Sequence, residues 1–507
     1  IYSTLLKMIL IFSSIVLPLL FLWLYLRWRK VRIYWKNKGV PHHPPHPILG
    51  SLTFLQRENP VSWMRKMYTD FKSPYVGIWL FWRPSLIINS PDIARRILVK
   101  DSDTFRNRFL SSGNTDPVGA LNIFTVNDPF WSYVRRRLTA VFTASKLRKY
   151  NQITYICTDI CDNPSVVKIP ILVSTICSDY TTDIIGESAF GILCETTKTG
   201  TSAIKRITQQ FMEFNIHRGL SWSSIFFFPE LVDVFHFTLF PKKSIAELRE
   251  IYRSVVQLRG GYEKEVTEVK DILDALLKLK KDAATENKEM SEDMILAQAA
   301  TLLLGGFETT GSTMSWAIYM LAWNPQYQQI LYEELLAAKQ QLGDKDVGTD
   351  VLANLTYLKC VIKETLRLFP PMGWLDRVAS NDYRIDDKLT IKAGTVIYVN
   401  AVGMQTDPEY FPEPFVFRPQ RFLPENEKDI TPYAFMPFGE GPRNCIGMRF
   451  AYQTLRHGLA SILLNYEVKP LPDSPKPRDI KVEKNGLFYL PKDEKMRVEF
   501  VTRQKVV

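Results

Sequence analysis

The sequence predicts a mainly α-helical protein with small β-sheets and an N-terminal transmembrane helix. Apolar residues recur at three- and four-residue spacing from Asn59 to about Phe369, as they do on one face of a helix. After Pro370, short apolar runs such as residues 395–399 lie between turns, which is typical of short strands. A run of 19 uncharged, mostly apolar residues extends from Met8 to Leu26. These three patterns together define the predicted fold class.

The uncharged run has the length of a membrane-spanning helix. At 1.5 Å per residue it would extend roughly 28 Å, close to the thickness of the hydrocarbon layer. Basic residues crowd the segment after it, from Arg27 to Lys38, and this bias places the following body in the cytosol. The alternative is a cleaved signal peptide, but the apolar core is too long and no small-residue cleavage site follows. We therefore expect residues 1–30 to be a membrane anchor with a basic flank.

A basic, proline-rich segment follows at residues 31–50. Its prolines fix φ and favour an extended, semi-rigid spacer. His42 and His46 have a spacing seen in zinc sites, but the prolines between them forbid the helix that such a site needs. We expect a solvated linker here and a single domain over residues 51–507, because the helical pattern returns at Phe450–Leu464.

The composition narrows the classes of partner. Among 507 residues, 46% are hydrophobic and 23% are charged, which is normal for a protein with a large core. The formal net charge of +11 suits an anionic membrane surface or an acidic protein. Nucleic acid is the other usual partner of a basic chain, but no Lys/Arg stripe alternates with aromatic residues. We expect no nucleic-acid partner.

The six cysteines do not form a disulfide framework. None belongs to a C-x-x-C pair, and their scatter suits a reducing, cytosol-facing body. Cys157 and Cys161 lie four residues apart, and two buried apolar thiols on one helix face are the expected arrangement.

The segment Phe438–Gly447, FGEGPRNCIG, is the strongest chemical signal. Its three glycines and one proline predict a rigid loop with close backbone approach. Cys445 comes directly before a predicted helix, where the amides and the helix dipole favour a thiolate. One thiolate suffices to hold haem iron, whereas zinc needs three or four protein ligands. The loop resembles the haem-binding signature F-x-x-G-x-R-x-C-x-G of the cytochromes P450 and matches it at every fixed position.

This resemblance implies haem (heme b, iron protoporphyrin IX) as the cofactor and Cys445 as the ligand of its iron. Trp131-x-x-x-Arg135 resembles a helix motif of the family whose indole and guanidinium bind a haem propionate, and both groups are suited to a carboxylate. Each arginine taken alone would more often be a surface residue. The full set of expected cofactor-binding residues is Arg108, Trp131, Arg135, Arg377, Phe438 and Arg443.

Gly305–Thr310 resembles the oxygen-activation motif of the family. Two glycines inside a helix cost about 1 kcal/mol each, so close approach of the cofactor or tight helix packing must explain them. The resemblance implies that Thr309 and Glu308 are catalytic and supply protons. Gly305 stands where the family more often has Ala.

Glu364-x-x-Arg367 resembles the E-x-x-R helix motif of the family. The two residues are spaced to pair on one helix face, but such pairs are common on protein surfaces. With the family-like Arg421, the resemblance implies a buried structural network that further hydrogen bonds must satisfy. Gln420 replaces the usual Glu of the family, and Gln405 stands where His is frequent.

The resemblance places substrate contacts in six scattered segments. The candidates are apolar and therefore predict a lipophilic substrate; they are Leu304, Phe307, Met372, Gly373, Trp374, Leu487 and Phe488. Residues 222–240 are dense in aromatics, and the sequence leaves open whether they are core or a loop that dips into the bilayer.

The function that the resemblance implies is a monooxygenase that inserts one atom of O2 into lipophilic xenobiotics, plant toxins, insecticides or endogenous lipids and hormones. Electrons would come from NADPH through a separate NADPH-cytochrome P450 reductase, with cytochrome b5 as a second donor, because the chain has no flavin or NADPH signature of its own. Segments such as YWKNKGVP and NCIGMRFA resemble insect microsomal members of the xenobiotic-metabolising branch, which implies the endoplasmic reticulum membrane.

Two other functions stay open. A haem-thiolate isomerase would rearrange peroxides without O2 or electrons, but such relatives typically lose the acid–alcohol pair that Glu308 and Thr309 provide. A haem or lipid carrier without turnover would leave the oxygen motif idle. Consumption of NADPH separates the first alternative from a monooxygenase, and product formation with a reductase separates the second.

Overall fold

The structure, a computed structural model, describes residues 2–139, 142, 171–262, 264–288, 290–343, 347–492 and 496–503. Of residues 2–11, 13 and 171 it describes the backbone alone. The expected pair of thiols at Cys157 and Cys161 lies outside the described residues.

Helices dominate the described part of the chain, as the sequence predicts. They are numbered here in chain order: α1 (Tyr2–Asn37), α2 (Pro60–Asp70), α3 (Pro91–Arg95), α4 (Pro117–Ala120), α5 (Phe130–Thr139), α6 (Val173–Phe190), α7 (Thr196–Thr199), α8 (Ala203–Phe211), α9 (Ile216–Phe227), α10 (Val232–Phe235), α11 (Lys242–Leu258), α12 (Ile272–Thr285), α13 (Glu292–Trp323), α14 (Pro325–Leu342), α15 (Thr349–Asn354), α16 (Thr356–Leu368), α17 (Ala401–Met404), α18 (Pro424–Glu427) and α19 (Met448–Asn465).

Small sheets accompany these helices. The strands are β1 (Tyr75–Leu80), β2 (Arg83–Ile88), β3 (Ile171–Leu172), β4 (Leu375–Val378), β5 (Tyr383–Arg384), β6 (Thr390–Ile391), β7 (Val396–Val399), β8 (Tyr466–Pro470) and β9 (Arg497–Thr502). The largest described sheet has the order β1-β2-β7-β4, in which β2 and β7 are parallel and the other pairs are antiparallel. Two further sheets have the orders β3-β9-β8 and β5-β6.

The long helix α13 runs through the hydrophobic core. The Ser291 side chain accepts a hydrogen bond from Met294 N, and two acidic residues in the first turn favour this helix start. This cap pattern in the sequence predicts a helix from Glu292 to about Trp323, and these bounds are confirmed. The helix packs against α6, α16 and α19, so it positions its side chains from the centre of the body.

The N-terminal helix α1 covers the uncharged run and continues to Asn37. Among the helices that the structure describes, none is both long and apolar enough to cross a membrane.

The last turns of α1 and the residues that follow lie against the first sheet. Trp35 is fully buried, and its indole N–H donates to Ile78 O at 3.0 Å. Trp79 in turn donates to Val31 O at 3.1 Å, and Gly77 N donates to Pro41 O at 2.8 Å. The segment predicted to be a solvated spacer is therefore joined to the body by apolar burial and hydrogen bonds, which the prolines alone did not indicate.

Most of the aromatic segment 222–240 belongs to the core. Trp222 and the side chains of Phe226–Phe228 are buried, as is Phe240. The short helix α10 is the exception, because Val234 and Phe235 are exposed. Of the two possibilities that the sequence left open, core or a loop that dips into the bilayer, most of this segment is core.

Candidate active site

The Cys445 loop is closed by its own backbone. Cys445 N donates to Phe438 O at 2.8 Å, and Asn444 N donates to Gly441 O at 3.1 Å. Gly441 has φ +72°, and a Cβ there would overlap Leu98 O, so only glycine fits this position. The loop ends where α19 begins, at Met448. The cysteine is therefore held at a fixed place by a backbone that has little freedom.

The side chain of Cys445 has accessible surface although protein surrounds it, as expected for a group that lines an internal cavity. Burial raises the pKa of this thiol above its usual range, while the Gly447 N–H and the charges of Arg135 and Arg108 act in the opposite direction. The amide at the helix start therefore favours the thiolate, as the sequence predicts, but burial has the larger effect on the pKa. A bound metal cation would supply the missing positive charge, because a coordinated thiol loses its proton.

Four arginines interact electrostatically with Cys445 or with one another, and Asp376 and Asp128 are the acids that act on them; the arginines are Arg108, Arg135, Arg377 and Arg443. Burial, followed by repulsion from neighbouring arginines, lowers the pKa of Arg443 to about 8, and the same causes lower that of Arg377 to about 10. Burial also lowers the pKa of Arg108, whose Nε has no hydrogen-bond partner among the described residues. An anion with two carboxylates would relieve this excess of buried positive charge. The donor set therefore fits the propionates of haem.

The arginines differ in how much of their donor capacity the protein already uses. Arg443 donates from Nε to Arg106 O and from Nη1 to Val126 O, both at 2.9 Å, and lies 4.0 Å from the centre of the Trp131 ring. Arg135 donates to the main chain and side chain of Asn444. These two residues, expected to bind the cofactor, also hold protein segments, and each guanidinium keeps donors for a propionate.

One face of α13 stays accessible inside the body. From Ile295 to Ala322, all of which the structure describes, every residue is buried except six around the oxygen motif. Five of the six lie at intervals of three and four residues and so share a face; they are Thr301, Leu304, Gly305, Glu308 and Thr309. Thr301 was not among the expected site residues, although its position four residues before Gly305 and eight before Thr309 was a signal for it.

The two expected catalytic residues lie on this face in different environments. Thr309 Oγ1 donates to Gly305 O at 2.6 Å, the usual local bond of a helical threonine. Burial raises the pKa of Glu308 to about 7, so near neutral pH its carboxyl exists in both protonation states. A group with that pKa is suited to take up and release protons.

The two glycines of the motif have different causes. A Cβ on Gly306 would overlap the Ile185 side chain on α6, so tight helix packing explains this glycine. At Gly305 a Cβ would meet no described atom within 4 Å, so packing within the described protein does not require it. Helix packing therefore accounts for Gly306, whereas close approach of a cofactor stays the expected reason for Gly305.

The expected substrate residues divide by burial. Leu304, Met372 and Phe488 keep accessible surface, whereas the other four are buried. Trp374 packs against Phe226 and Phe227. A Cβ on Gly373 would press on Val61 and Val402, and therefore this glycine lies in a packed interface of the core.

The E-x-x-R residues form a buried network, as their pattern predicts. Arg367 donates to both carboxylate oxygens of Glu364 at 2.8 Å, and both side chains are fully buried. Arg421 lies 3.4 Å from the same carboxylate. Gln405 donates to Arg367 O at 3.1 Å and accepts from Met436 N at 3.3 Å, so it links α16 to the segment that leads into the Cys445 loop.

Comparison with known proteins shows the same likeness along most of the chain. A family model described as Cytochrome P450 matches residues 40–497. The chain is 30% identical over 501 residues to Cytochrome P450 6k1 of Blattella germanica, which covers 94% of both proteins. It is 32% identical over 462 residues to Probable cytochrome P450 6g2 of Drosophila melanogaster, covering 86% of this chain and 88% of that protein. Cytochrome P450 6A1 of Musca domestica is 30% identical over 474 residues, covering 91% and 92%.

Proposed function

Because the chain belongs to the cytochrome P450 family of monooxygenases, we propose that it inserts one oxygen atom from O2 into lipophilic small molecules, including plant toxins and insecticides. The observation that supports this most directly is the position of Cys445. Its side chain keeps accessible surface although protein surrounds it, at the end of a loop closed by backbone hydrogen bonds and near buried arginines in excess of acids.

Each side of the site has its own task. Cys445 would be the iron ligand. The propionates would be held by Trp131 and the four arginines Arg108, Arg135, Arg377 and Arg443. A haem bound in this way supplies an iron centre that reduces O2 and splits its O–O bond. On the accessible face of α13, Glu308 holds a proton at its carboxyl and Thr309 holds one at Oγ1. Leu304, Met372 and Phe488 would present apolar surface to the substrate and keep bulk water away from it.

The proposed electron source is NADPH, through a separate reductase. Cytochrome b5 would be a second donor. The net charge of +11 favours docking of an acidic partner by long-range attraction.

We propose the endoplasmic reticulum membrane as the location, with the body on the cytosolic side. The described side chains of α1 that support an anchor are apolar and exposed between Phe12 and Leu26, and a basic stretch follows from Arg27. Removal of residues 1–30 leaves Trp35 and its contacts intact, so the shortened protein should keep its haem and leave membranes. A shortened protein that sediments fully with membranes would place the attachment elsewhere, with Val234 and Phe235 as the first residues to change.

A spectroscopic and turnover experiment tests the proposed function. The purified protein should bind one haem per chain, give the thiolate-type spectrum when reduced and exposed to CO, and oxidise lipophilic compounds with NADPH and reductase. Cys445→Ala should lose that spectrum. A variant that keeps it would show that another residue is the ligand, and rearrangement of peroxides without NADPH would favour an isomerase instead.

A further inference from the structure

Arg135 makes a two-pronged contact with the residue directly before the cysteine ligand. From α5, its Nη1 donates to Asn444 O at 2.8 Å and its Nη2 donates to Asn444 Oδ1 at 2.7 Å. The two residues are 309 positions apart in the sequence. A guanidinium that donates two hydrogen bonds to one partner fixes the partner's orientation as well as its distance.

This contact helps to fix the peptide unit that joins Asn444 to Cys445. The Asn444 carbonyl oxygen accepts from Arg135, and the Cys445 N–H of the same unit donates to Phe438 O at 2.8 Å. A peptide unit is planar, so bonds at both of its polar ends hold the whole plane. Because the Cα of Cys445 belongs to that plane, its orientation limits where the Cβ and Sγ can lie.

The arginines next to Arg135 and Asn444 in the sequence have other surroundings. Arg136, next to it on α5, is exposed, and Arg137 forms an ion pair with Glu286. Arg443, the residue before Asn444, is directed to Arg106 O and Val126 O. Arg135 is therefore the basic residue of α5 that joins this helix to the cysteine loop.

We propose that Arg135 and Asn444 form a clamp that positions the sulfur of Cys445, and that both are positioning residues for the iron ligand. The proposal rests on the haem-thiolate function proposed above. It adds to the propionate role that the motif of Arg135 implies, because each Nη atom that donates to Asn444 keeps a second hydrogen for another acceptor. It also assigns a function to Asn444, which lies at a position that the haem-binding signature leaves variable.

The test compares five full-length variants with the unaltered protein: Arg135→Ala, Arg135→Lys, Asn444→Ala, the Arg135→Ala/Asn444→Ala double variant, and Arg136→Ala as a control of equal charge change on the same helix. Three quantities are measured for each purified protein. These are haem bound per chain, the ratio of thiolate-type to thiol-type spectrum after reduction and CO binding, and the midpoint potential of the iron.

Arg135→Ala should lower the spectral ratio by about tenfold or more, the effect of losing charge-assisted hydrogen bonds. Asn444→Ala should lower it less, since the main-chain bond to Arg135 survives, and Arg135→Lys should be intermediate because an ammonium cannot form the fork. Both alanine variants should shift the midpoint potential. The double variant should match Arg135→Ala alone, because the two changes remove one contact. Arg136→Ala should equal the unaltered protein.

Distinct results would overturn the clamp. If Asn444→Ala keeps the unaltered ratio and potential while Arg135→Ala loses haem, Arg135 acts on a propionate only. If the losses add in the double variant, the two residues act independently. Should Arg135→Ala fail to fold, Arg135→Lys and Asn444→Ala carry the same comparison. An unaltered protein without any thiolate-type spectrum would reject the haem-thiolate function itself, which separates that failure from failure of the clamp.

Discussion

The cysteine loop and the accessible face of α13 are built in opposite ways. In the loop, Cys445 N and Asn444 N are both bonded to backbone oxygens, and Gly441 touches Leu98 O so closely that no side chain fits. On α13, Gly305 has open space beside it and Glu308 has a pKa raised to about 7. The difference indicates that the cysteine loop is held rigid, whereas the α13 face retains accessible surface and a carboxyl that can exchange protons near neutral pH.

The most severe test of this contrast is a pair of glycine substitutions. Gly441→Ala should destabilise the protein by about 3 kcal/mol or more, because it adds a positive-φ penalty to an overlap with backbone. Gly305→Ala should change stability by no more than about 1 kcal/mol, in the stabilising direction that helix propensity gives to alanine. Thermal unfolding and haem content of both variants measure the effect. Equal losses in the two would show that the α13 face is packed as tightly as the loop.

A second substitution removes the hydroxyl of the accessible face. Thr309→Ala should keep haem, substrate binding and NADPH oxidation but divert electrons from product to hydrogen peroxide. Proton-transfer groups contribute about 100- to 10,000-fold, and we expect the low end because water can replace the hydroxyl. Thr309→Ser is the matched control and should recover much of the product formed per NADPH. Unchanged product yield in the alanine variant would show that Thr309 has only a structural role in α13.

The raised pKa of Glu308 predicts a pH dependence. Below about pH 7 its carboxyl is protonated and can donate, and as pH rises through this value the proton is lost. Product formed per NADPH should therefore fall as pH increases from 6 to 8 in the unaltered protein. Glu308→Gln, which cannot ionise, should give a lower yield that is flat across the same range. A variant that keeps the original pH profile would assign the dependence to another group.

The smallest expected effect concerns electron delivery from the reductase near the cysteine loop. Arg449 is exposed, four residues beyond Cys445 on α19. Arg449→Glu should raise the reductase concentration needed for half-maximal turnover a few-fold, and added salt should weaken coupling of the unaltered protein because charges are screened over about 8 Å at physiological ionic strength. Lys242→Glu on α11 makes a like change elsewhere and is the control. Equal effects of both variants would indicate attraction by net charge without a docking role for Arg449.

Patterns confined to short stretches of sequence were enough to predict the centre of the site. The bounds of α13, the pairing of Glu364 with Arg367 and the helix that follows Cys445 all depend on caps, spacing and turn residues within a few positions of one another. Because those interactions are local, the sequence indicates them directly.

Other features were decided by tertiary structure alone. The sequence marks Arg135 and Arg443 as donors, but their acceptors lie more than 300 positions away. From the sequence alone, Trp35 belongs to a basic linker and Gly373 to the expected substrate contacts. In the structure the first sheet covers Trp35, and Val61 and Val402 pack against Gly373. Residue type fixes what a side chain is able to bind, whereas its actual partner depends on which distant segments the packed core brings to it.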